Sequence, residues 1–183
     1  MLRNNNIPDS GASLIFFSVM INKTLKKLDL SENNLTIKCA ESLKNCLHSN
    51  TSLFELYLSW NNFNSEAGIF IFNGISQNYV LKVIDLSYNQ LGKNEESNLP
   101  EVMSKFFSKN ETGLVHLDLS YNYFNHSHSK IIAQGLSKNK IICGFHFEGN
   151  AGYVDSQGFL IVDQEKTSSE CILKLKSYKI RGN

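Results

Sequence analysis

Four of the histidines and one of the cysteines suggest a zinc site: His116, His126, His128, His146 and Cys143. Zinc sites in proteins use Cys and His at short, fixed spacings such as CxxC or HExxH. Neither spacing occurs here. His126 and His128 are predicted to lie in a loop, away from the strands that carry His116 and His146. The sequence therefore predicts no metal site and no cofactor.

Catalytic chemistry has equally little support. His116 and Asp118 could supply the base and the orienting carboxylate of a hydrolase, but no serine or cysteine nucleophile is framed by an oxyanion-hole sequence. The glycine-rich loops GxGxxG and GxxxxGK[ST], which bind nucleotides, do not occur either. We therefore predict a protein that acts by binding and is not an enzyme.

A repeated pattern, LxxLxLxxNxL, indicates which elements position the polar residues. The asparagines that mark its five copies are Asn33, Asn61, Asn89, Asn122 and Asn150. Successive intervals are 28, 28, 33 and 28 residues, and the longer one marks an insertion near Lys93 to Pro100. Self-similarity at a fixed period means that each copy is one stacked supersecondary unit.

Each unit combines two periodicities. In LDLS, residues 28–31, apolar and polar residues alternate as in a half-buried strand. Later in each unit apolar residues recur at helical spacing, and in the first helix this predicts that Ala12, Ile15 and Val19 are buried. The sequence thus predicts an α/β fold: a curved solenoid with parallel strands on its concave face and helices on its convex face.

The five repeated asparagines are predicted to form a structural ladder through this solenoid. A side-chain amide carries both donors and an acceptor, so it can satisfy buried backbone groups where each strand ends in a turn. The whole chain is predicted to be a single solenoid, and we expect it to be a fragment of a longer repeat protein because no polar capping unit precedes the first repeat. Its predicted parts are about five clear repeats between 25 and 152, a partial repeat at 1–24 and a degenerate closing repeat at 153–183, with Tyr178 at the asparagine position.

Partner-binding residues are predicted on the concave face, where the polar strand residues point. Trp60, Tyr88 and Tyr121 precede the ladder asparagine in three adjacent units and form a predicted aromatic stripe, with Tyr57 beside them. Tryptophan and tyrosine combine a large contact area with few rotors and a polar group. The stripe has four flanking carboxylates: Asp29, Glu55, Asp85 and Asp118. They favour a partner protein with Lys or Arg on its surface, although aspartate and tyrosine at these positions also have a purely structural interpretation.

Composition and charge exclude several other partners. The chain is 42% hydrophobic and 19% charged, and its net charge of +1 argues against binding to nucleic acid through bulk electrostatics. The longest apolar stretch, residues 12–21, is too short to span a bilayer, and no signal-peptide cleavage site follows it. We predict no membrane insertion, and the sequence leaves the oligomeric state open.

Cysteine usage favours a cytoplasmic location. The paired-cysteine caps of extracellular repeat proteins do not occur, although a disulfide between Cys143 and Cys171 on neighbouring strands is conceivable. Five N-x-[ST] sequons begin at Asn22, Asn34, Asn50, Asn110 and Asn125. In a chain so rich in Asn and Ser, about three would arise by chance, so these sequons do not by themselves indicate secretion.

The five copies of LxxLxLxxNxL resemble the leucine-rich repeat family, and their 28-residue period resembles its ribonuclease-inhibitor-like, intracellular class. This resemblance implies a scaffold that binds one partner protein on its concave face. Ran GTPase-activating proteins share the repeat class, which implies a regulator of a small GTPase, but they carry an acidic tail where this chain ends in KLKSYKIRGN. Nucleotide-dependent innate-immune receptors have similar repeats, which implies the ligand-sensing region of a larger receptor.

Overall fold

The computed structural model describes residues 2–162 of the 183-residue chain. Five short strands pair side by side in sequence order and in parallel. The strands are β1 (Lys27–Asp29), β2 (Glu55–Tyr57), β3 (Val83–Asp85), β4 (His116–Asp118) and β5 (Gly144–His146). Their register follows the repeat, since Leu28 pairs with Leu56 and Leu56 with Ile84. The predicted α/β fold is therefore confirmed.

Helices connect successive strands and pack against one another in chain order. They are α1 (Asp9–Ile21), α2 (Ala40–Ser49), α3 (Ser65–Ile75), α4 (Leu99–Lys109) and α5 (His126–Leu136), with a short 3₁₀ helix at Ile37–Cys39. The side chains of Asn64 and Asn125 cap α3 and α5 by accepting backbone N–H groups of the first turn. No helix within residues 2–162 has both the length and the apolar character needed to cross a membrane.

A continuous apolar core lies between the sheet and the helices. It buries Ala12 and Val19 of α1, as predicted, but the third buried residue of that helix is Phe16, and Ile15 is only half-buried. Residues three and four positions apart both lie on the same face of a helix. The spacing alone therefore could not decide whether Ile15 or Phe16 is the buried residue.

The chain on either side of the five-stranded core also has defined structure. Residues 2–7 run beside β1, where the Leu2 N–H donates to the Asp29 carbonyl at 2.9 Å. After β5, strands β6 (Tyr153–Val154) and β7 (Leu160–Ile161) form an antiparallel hairpin. Cys171, Tyr178 and most of the predicted closing repeat lie outside the described residues.

The insertion at residues 93–100 lies in the connection that leads to α4 and in the first two residues of that helix. The Ser97 N–H donates to the Asn94 carbonyl at 3.3 Å, which turns the chain back toward the helix. On the other side, Nε2 of the buried His128 lies 3.2 Å from the carbonyl oxygen of Glu95. The additional residues therefore lie on the helical side of the solenoid, and strands β3 and β4 stay in register.

Asn61 shows how the repeated asparagines act. Its Oδ1 accepts the N–H groups of Asn33 and Leu35 in the preceding unit, at 3.1 and 2.9 Å. Its Nδ2 donates to the carbonyls of Leu30 and Leu58, at 3.1 and 2.9 Å. Equivalent bonds are made by Asn33, Asn89, Asn122 and Asn150. One side chain therefore links two neighbouring units and satisfies buried backbone groups in both.

A second polar ladder, which the sequence analysis did not find, lies where each helix returns to the next strand. The Asn78 Oδ1 accepts the N–H groups of Val80 and Leu81 at 2.9 and 2.8 Å, and its Nδ2 donates to the Leu47 carbonyl of the preceding unit. The same position in other units is occupied by Asn22, Asn50, Thr112 and Asn139. The asparagines of two sequons, Asn22 and Asn50, and the threonine of a third, Thr112, belong to this ladder.

Replacing Asn89 by alanine tests the first ladder. The N–H group of Phe63 would remain buried without its acceptor, and the Leu58 carbonyl would keep only its bond from Asn61, so we expect the free energy of unfolding to fall by about 1–3 kcal/mol. The exposed Asn62 provides a matched control, and Asn62→Ala is expected to change stability by at most about 0.5 kcal/mol. Urea denaturation followed by circular dichroism measures both. Equal losses for the two variants would show that the ladder has no special stabilising role.

Candidate functional site

The aromatic residues of three adjacent units form a stacked column. The ring centroids of Trp60 and Tyr88 are 4.1 Å apart with 9° between the planes, and those of Tyr88 and Tyr121 are 4.3 Å apart with 11°. Trp60 is 53% exposed and Tyr121 43%, with Tyr88 half-buried between them. We call these three residues the aromatic column. Such an exposed row of large rings is uncommon unless it contacts something.

The backbone at the aromatic column is in the left-handed region, which the sequence analysis did not foresee. The φ angles of Trp60, Tyr88 and Tyr121 are 55°, 53° and 55°. Each N–H donates to a carbonyl of the next unit, as from Tyr88 to Ser120 at 2.9 Å. This conformation costs a residue with a side chain roughly 1–2 kcal/mol, whereas Gly149 adopts it at the equivalent position without that penalty. Ring stacking contributes about 0.5–1.5 kcal/mol per pair in the opposite direction.

A groove of about 480 Å³ runs along the aromatic column. A second set of side chains in the groove belongs to the residues that follow the ladder asparagines: Asn34, Asn62, Gln90 and Tyr123. Gln90 Nε2 donates to Asn62 Oδ1 at 2.9 Å, so these amides also connect neighbouring units. The groove therefore combines aromatic surface with side-chain amides.

Tyr57 belongs to a different cluster from the aromatic column. Its hydroxyl donates to Glu55 Oε2 at 2.9 Å, and Lys27 Nζ lies 4.6 Å from the centre of its ring. Lys27 and Glu55 form an ion pair at 2.9 Å, and hydrogen bonding from Lys27 lowers the pKa of the Glu55 carboxyl. The carboxylate of Glu55 thus already has a cationic partner within the chain.

The three flanking aspartates each stabilise a turn. The Oδ1 atoms of Asp29, Asp85 and Asp118 accept the N–H groups of the serines two residues later, at 3.0, 2.9 and 2.8 Å. Asp29 is only 8% exposed, whereas Asp85 and Asp118 are half-buried. Such Asx turns fix the backbone where the strand ends. The aspartates therefore have a structural role, and Asp85 and Asp118 retain access to the concave surface.

Two histidines meet on the same face at the end of the sheet. The rings of His116 and His146 are 4.8 Å apart and tilted by 40°. A Cβ at Gly144 would overlap Nδ1 of His116, so the glycine leaves room for this ring. Burial lowers the pKa of His116, and charge on His146 lowers it further against the opposing effect of Asp118.

The other histidines lie elsewhere. His126 and His128 are in the first turn of α5 and not in a loop as predicted, because Asn125 accepts the His128 N–H at 2.9 Å and starts the helix there. Across residues 2–162, no group of three or more His, Cys, Asp or Glu side chains is arranged to hold a metal ion. Cys39 and Cys46 are buried thiols within the core, and burial raises the pKa of Cys46 to about 12.

Comparison with known proteins agrees with the repeat structure. Models described as "Leucine Rich Repeat" match residues 24–46 and 113–139, and another with the same description matches residues 49–72. Leucine-rich repeat-containing protein 45 of Gallus gallus is 34% identical over 87 residues, which cover 46% of this chain and 13% of that protein. The chain thus matches a small part of this relative. These matches and the fold support the predicted leucine-rich repeat family.

The fold also resembles a solved structure, "Leiomodin-1 Actin-Binding Site 2 (ABS2)". The TM-score is 0.59 at 16% sequence identity, and the superposition covers 75% of this chain and 79% of that one. At this level of identity the similarity concerns the fold alone.

The histidine pair predicts a pH dependence of stability. The pKa of His116 is lower in the folded chain than its ordinary value of 6.5, so the unfolded chain binds a proton more readily as the pH falls. The resulting contribution to stability is present above pH 6.5 and is lost as the pH falls through the folded pKa. We expect the free energy of unfolding of the wild type to fall more between about pH 7 and 5 than that of His116→Gln. The exposed His48, replaced by glutamine in a second variant, controls for the loss of one imidazole. If the free energy of unfolding of the wild type and of His116→Gln changed equally with pH, His116 would not be the source of the pH dependence.

Proposed function

We propose that the chain is a protein-interaction scaffold that binds a partner protein on its concave face through the aromatic column. The observation that carries this proposal is the continuous stack of Trp60, Tyr88 and Tyr121 on an exposed surface. Tryptophan and tyrosine are the residue types most enriched among binding hot spots. Stacking also orders the three rings before a partner arrives, which reduces the entropy lost on binding.

A left-handed backbone at the column position is common to all the units. Asn4, Glu32 and Gly149 adopt it as well as the three aromatic residues, so the conformation belongs to the repeat turn. The units of the column differ from the others in carrying large stacked rings there. Since the turn accepts asparagine, glutamate or glycine, the aromatic side chains supply a contact surface that the turn itself does not require.

The strand residues make the surroundings of the aromatic column acidic. The five strands present Asp29, Glu55, Asp85 and Asp118 but a single lysine, Lys27. We propose that the partner contributes Lys or Arg to this face, since complementary charge accelerates encounter and fixes orientation. Asp85 and Asp118 are better placed for this than Asp29, which is buried, or Glu55, which Lys27 already pairs.

We assign the repeats to the ribonuclease-inhibitor-like class and the chain to the cytoplasm. Three of the four intervals between ladder asparagines are 28 residues, and each unit from β1 to β5 is linked by an α-helix. Two core cysteines are free thiols, and the sequon asparagine Asn50 is buried in the second ladder. The chain acts, on this proposal, by binding and not by catalysis. Regulation of a small GTPase and ligand sensing within a larger receptor remain alternative predictions for the same surface.

A capture experiment with three protein forms tests the proposed function. The wild type, a Trp60→Ala, Tyr88→Ala, Tyr121→Ala variant and a control variant are each used to capture proteins from a lysate for mass spectrometry. The control carries Phe17→Ala, Tyr79→Ala and Tyr153→Ala, which removes three exposed aromatics outside the column. We expect a partner retained by the wild type and the control and lost by the column variant, since each hot-spot truncation weakens binding by about 2 kcal/mol or more.

Circular dichroism must first show that both variants are folded. Equal retention of every captured protein by the column variant and the control would contradict the proposal and indicate a binding surface outside the column.

Once a partner is identified, Asp118→Asn is expected to slow its association more at low salt than at high salt.

A further inference from the structure

The groove beside the aromatic column fits one kind of partner segment. We infer that it takes a proline-rich segment in the polyproline II conformation, with Lys or Arg beside the Tyr121 end. This inference rests on the proposed function and deepens it by naming the chemistry of the partner. It follows from the stacking of the rings, the spacing of the units, the hydrogen-bond donors in the groove and the charges at its ends.

Stacking determines what the rings can contact. Both faces of Tyr88 are covered, one by Trp60 and the other by Tyr121, so its ring offers only edges. A Cβ at Gly149 would overlap the Tyr121 ring, so that ring lies over the glycine backbone at the end of the column. Sugars and quaternary cations bind to open ring faces, which are scarce here. A bulky, rigid apolar chain that lies against ring edges is the better match.

The spacing of the units distinguishes a polyproline II segment from an extended strand. The stacked rings are 4.1 and 4.3 Å apart, so Trp60 and Tyr121 are separated by about 8.4 Å along the column. A polyproline II helix repeats every three residues, or about 9.3 Å, which is close to this separation, so residues three apart can contact the two ends of the column. A β-strand repeats its side chains at about 6.7 Å, which matches neither one unit nor two.

The amides of the groove supply the hydrogen bonds that such a segment needs. A polyproline II helix has no internal hydrogen bonds, so its carbonyls require donors from the groove. Asn62 accepts from Gln90 through Oδ1, which leaves its Nδ2 free to donate to a ligand. Among the described residues, the side chain of Asn34 makes no hydrogen bond and is exposed, so it too is available.

Charge identifies where the basic residue of the partner lies. At the Trp60 end, the carboxylate of Glu32 is already paired with Arg3, whose Nε lies 3.0 Å from Oε1. At the other end, Glu148 is exposed, and its carbonyl accepts the Tyr121 N–H at 2.7 Å, which places Glu148 beside the column. Asp118 lies on the strand that leads to Tyr121. The unneutralised carboxylates are thus concentrated at the Tyr121 end.

Titration of the full chain with synthetic peptides tests this inference. Trp60 is the only tryptophan, so its fluorescence reports directly on the groove. The probe has about nine prolines, spanning about 28 Å, with an arginine at each end. Two comparison peptides have a glycine–serine core with the same arginines, or the proline core with glutamates at its ends. We expect saturable binding of the arginine–proline peptide at least about tenfold tighter than of either comparison peptide.

Variants locate the site, and calorimetry repeats each titration independently of fluorescence. Tyr121→Ala is expected to weaken the peptide about tenfold and Glu148→Gln about threefold, whereas the exposed Tyr79→Ala and Glu101→Gln leave the affinity unchanged. Equal binding of the glycine–serine peptide would overturn the polyproline assignment, and equal binding of the glutamate-ended peptide would overturn the charge assignment.

The capture experiment separates failure of this inference from failure of the proposed function. If the wild type captures a column-dependent partner from lysate but binds no proline peptide, the polyproline inference is wrong and the scaffold proposal stands. If neither occurs, both are wrong.

Discussion

The structure depends on one repeated interaction, the hydrogen bonds of the ladder asparagine. Each Oδ1 accepts N–H groups of the unit before it, and each Nδ2 donates to carbonyls of both units, as Asn61 does with Leu30 and Leu58. The strands are only three residues long, and backbone bonds between units continue just beyond them, as from Tyr88 to Ser120. The N–H groups that follow, such as those of Asn33 and Leu35, find their acceptor in the ladder asparagine of the next unit. Buried backbone groups left without such a partner would each cost about 1–3 kcal/mol. The asparagines therefore set the distance and register between units, and every surface feature inherits that spacing.

The same turn determines where the proposed binding surface lies. The residue before each ladder asparagine adopts a left-handed backbone, which holds its side chain in a row with those of the neighbouring units. In three units this row is filled by Trp60, Tyr88 and Tyr121, whose stacking recovers part of the backbone cost. The backbone conformation that the turn requires thus also aligns the three aromatic rings. Each ring thus packs against its neighbour along the column.

The sequence was sufficient for the parts of the molecule that depend on periodicity. The 28-residue spacing predicted the strands, the helices and the apolar core, because burial on one face produces a repeating pattern of apolar residues. Backbone conformation and side-chain hydrogen bonds produce no such pattern. Nothing in the alternation showed that Trp60 sits in a left-handed turn, although Asn4 and Gly149 at the same position were a usable signal. Asn78 was overlooked because the second ladder uses Asn in some units and Thr112 in another. The charge of the aspartates suggested a role in binding. Their Asx turns depend on the local backbone conformation, which the alternation of residues does not specify.

The spacing of the units on the concave face is unchanged by the insertion. Between Asn89 and Asn122 the chain is longer than in the other units, yet the Tyr88–Tyr121 stacking distance of 4.3 Å is almost that of Trp60–Tyr88, at 4.1 Å. The extra residues are taken up before α4, where His128 contacts the Glu95 carbonyl, so the additional chain lies on the helical side. Strand pairing and the ladder transmit the unit spacing across the insertion, because both are anchored at the strand and not at the helix. A partner that spans several units consequently meets an even array of rings, even though the sequence beneath it is uneven.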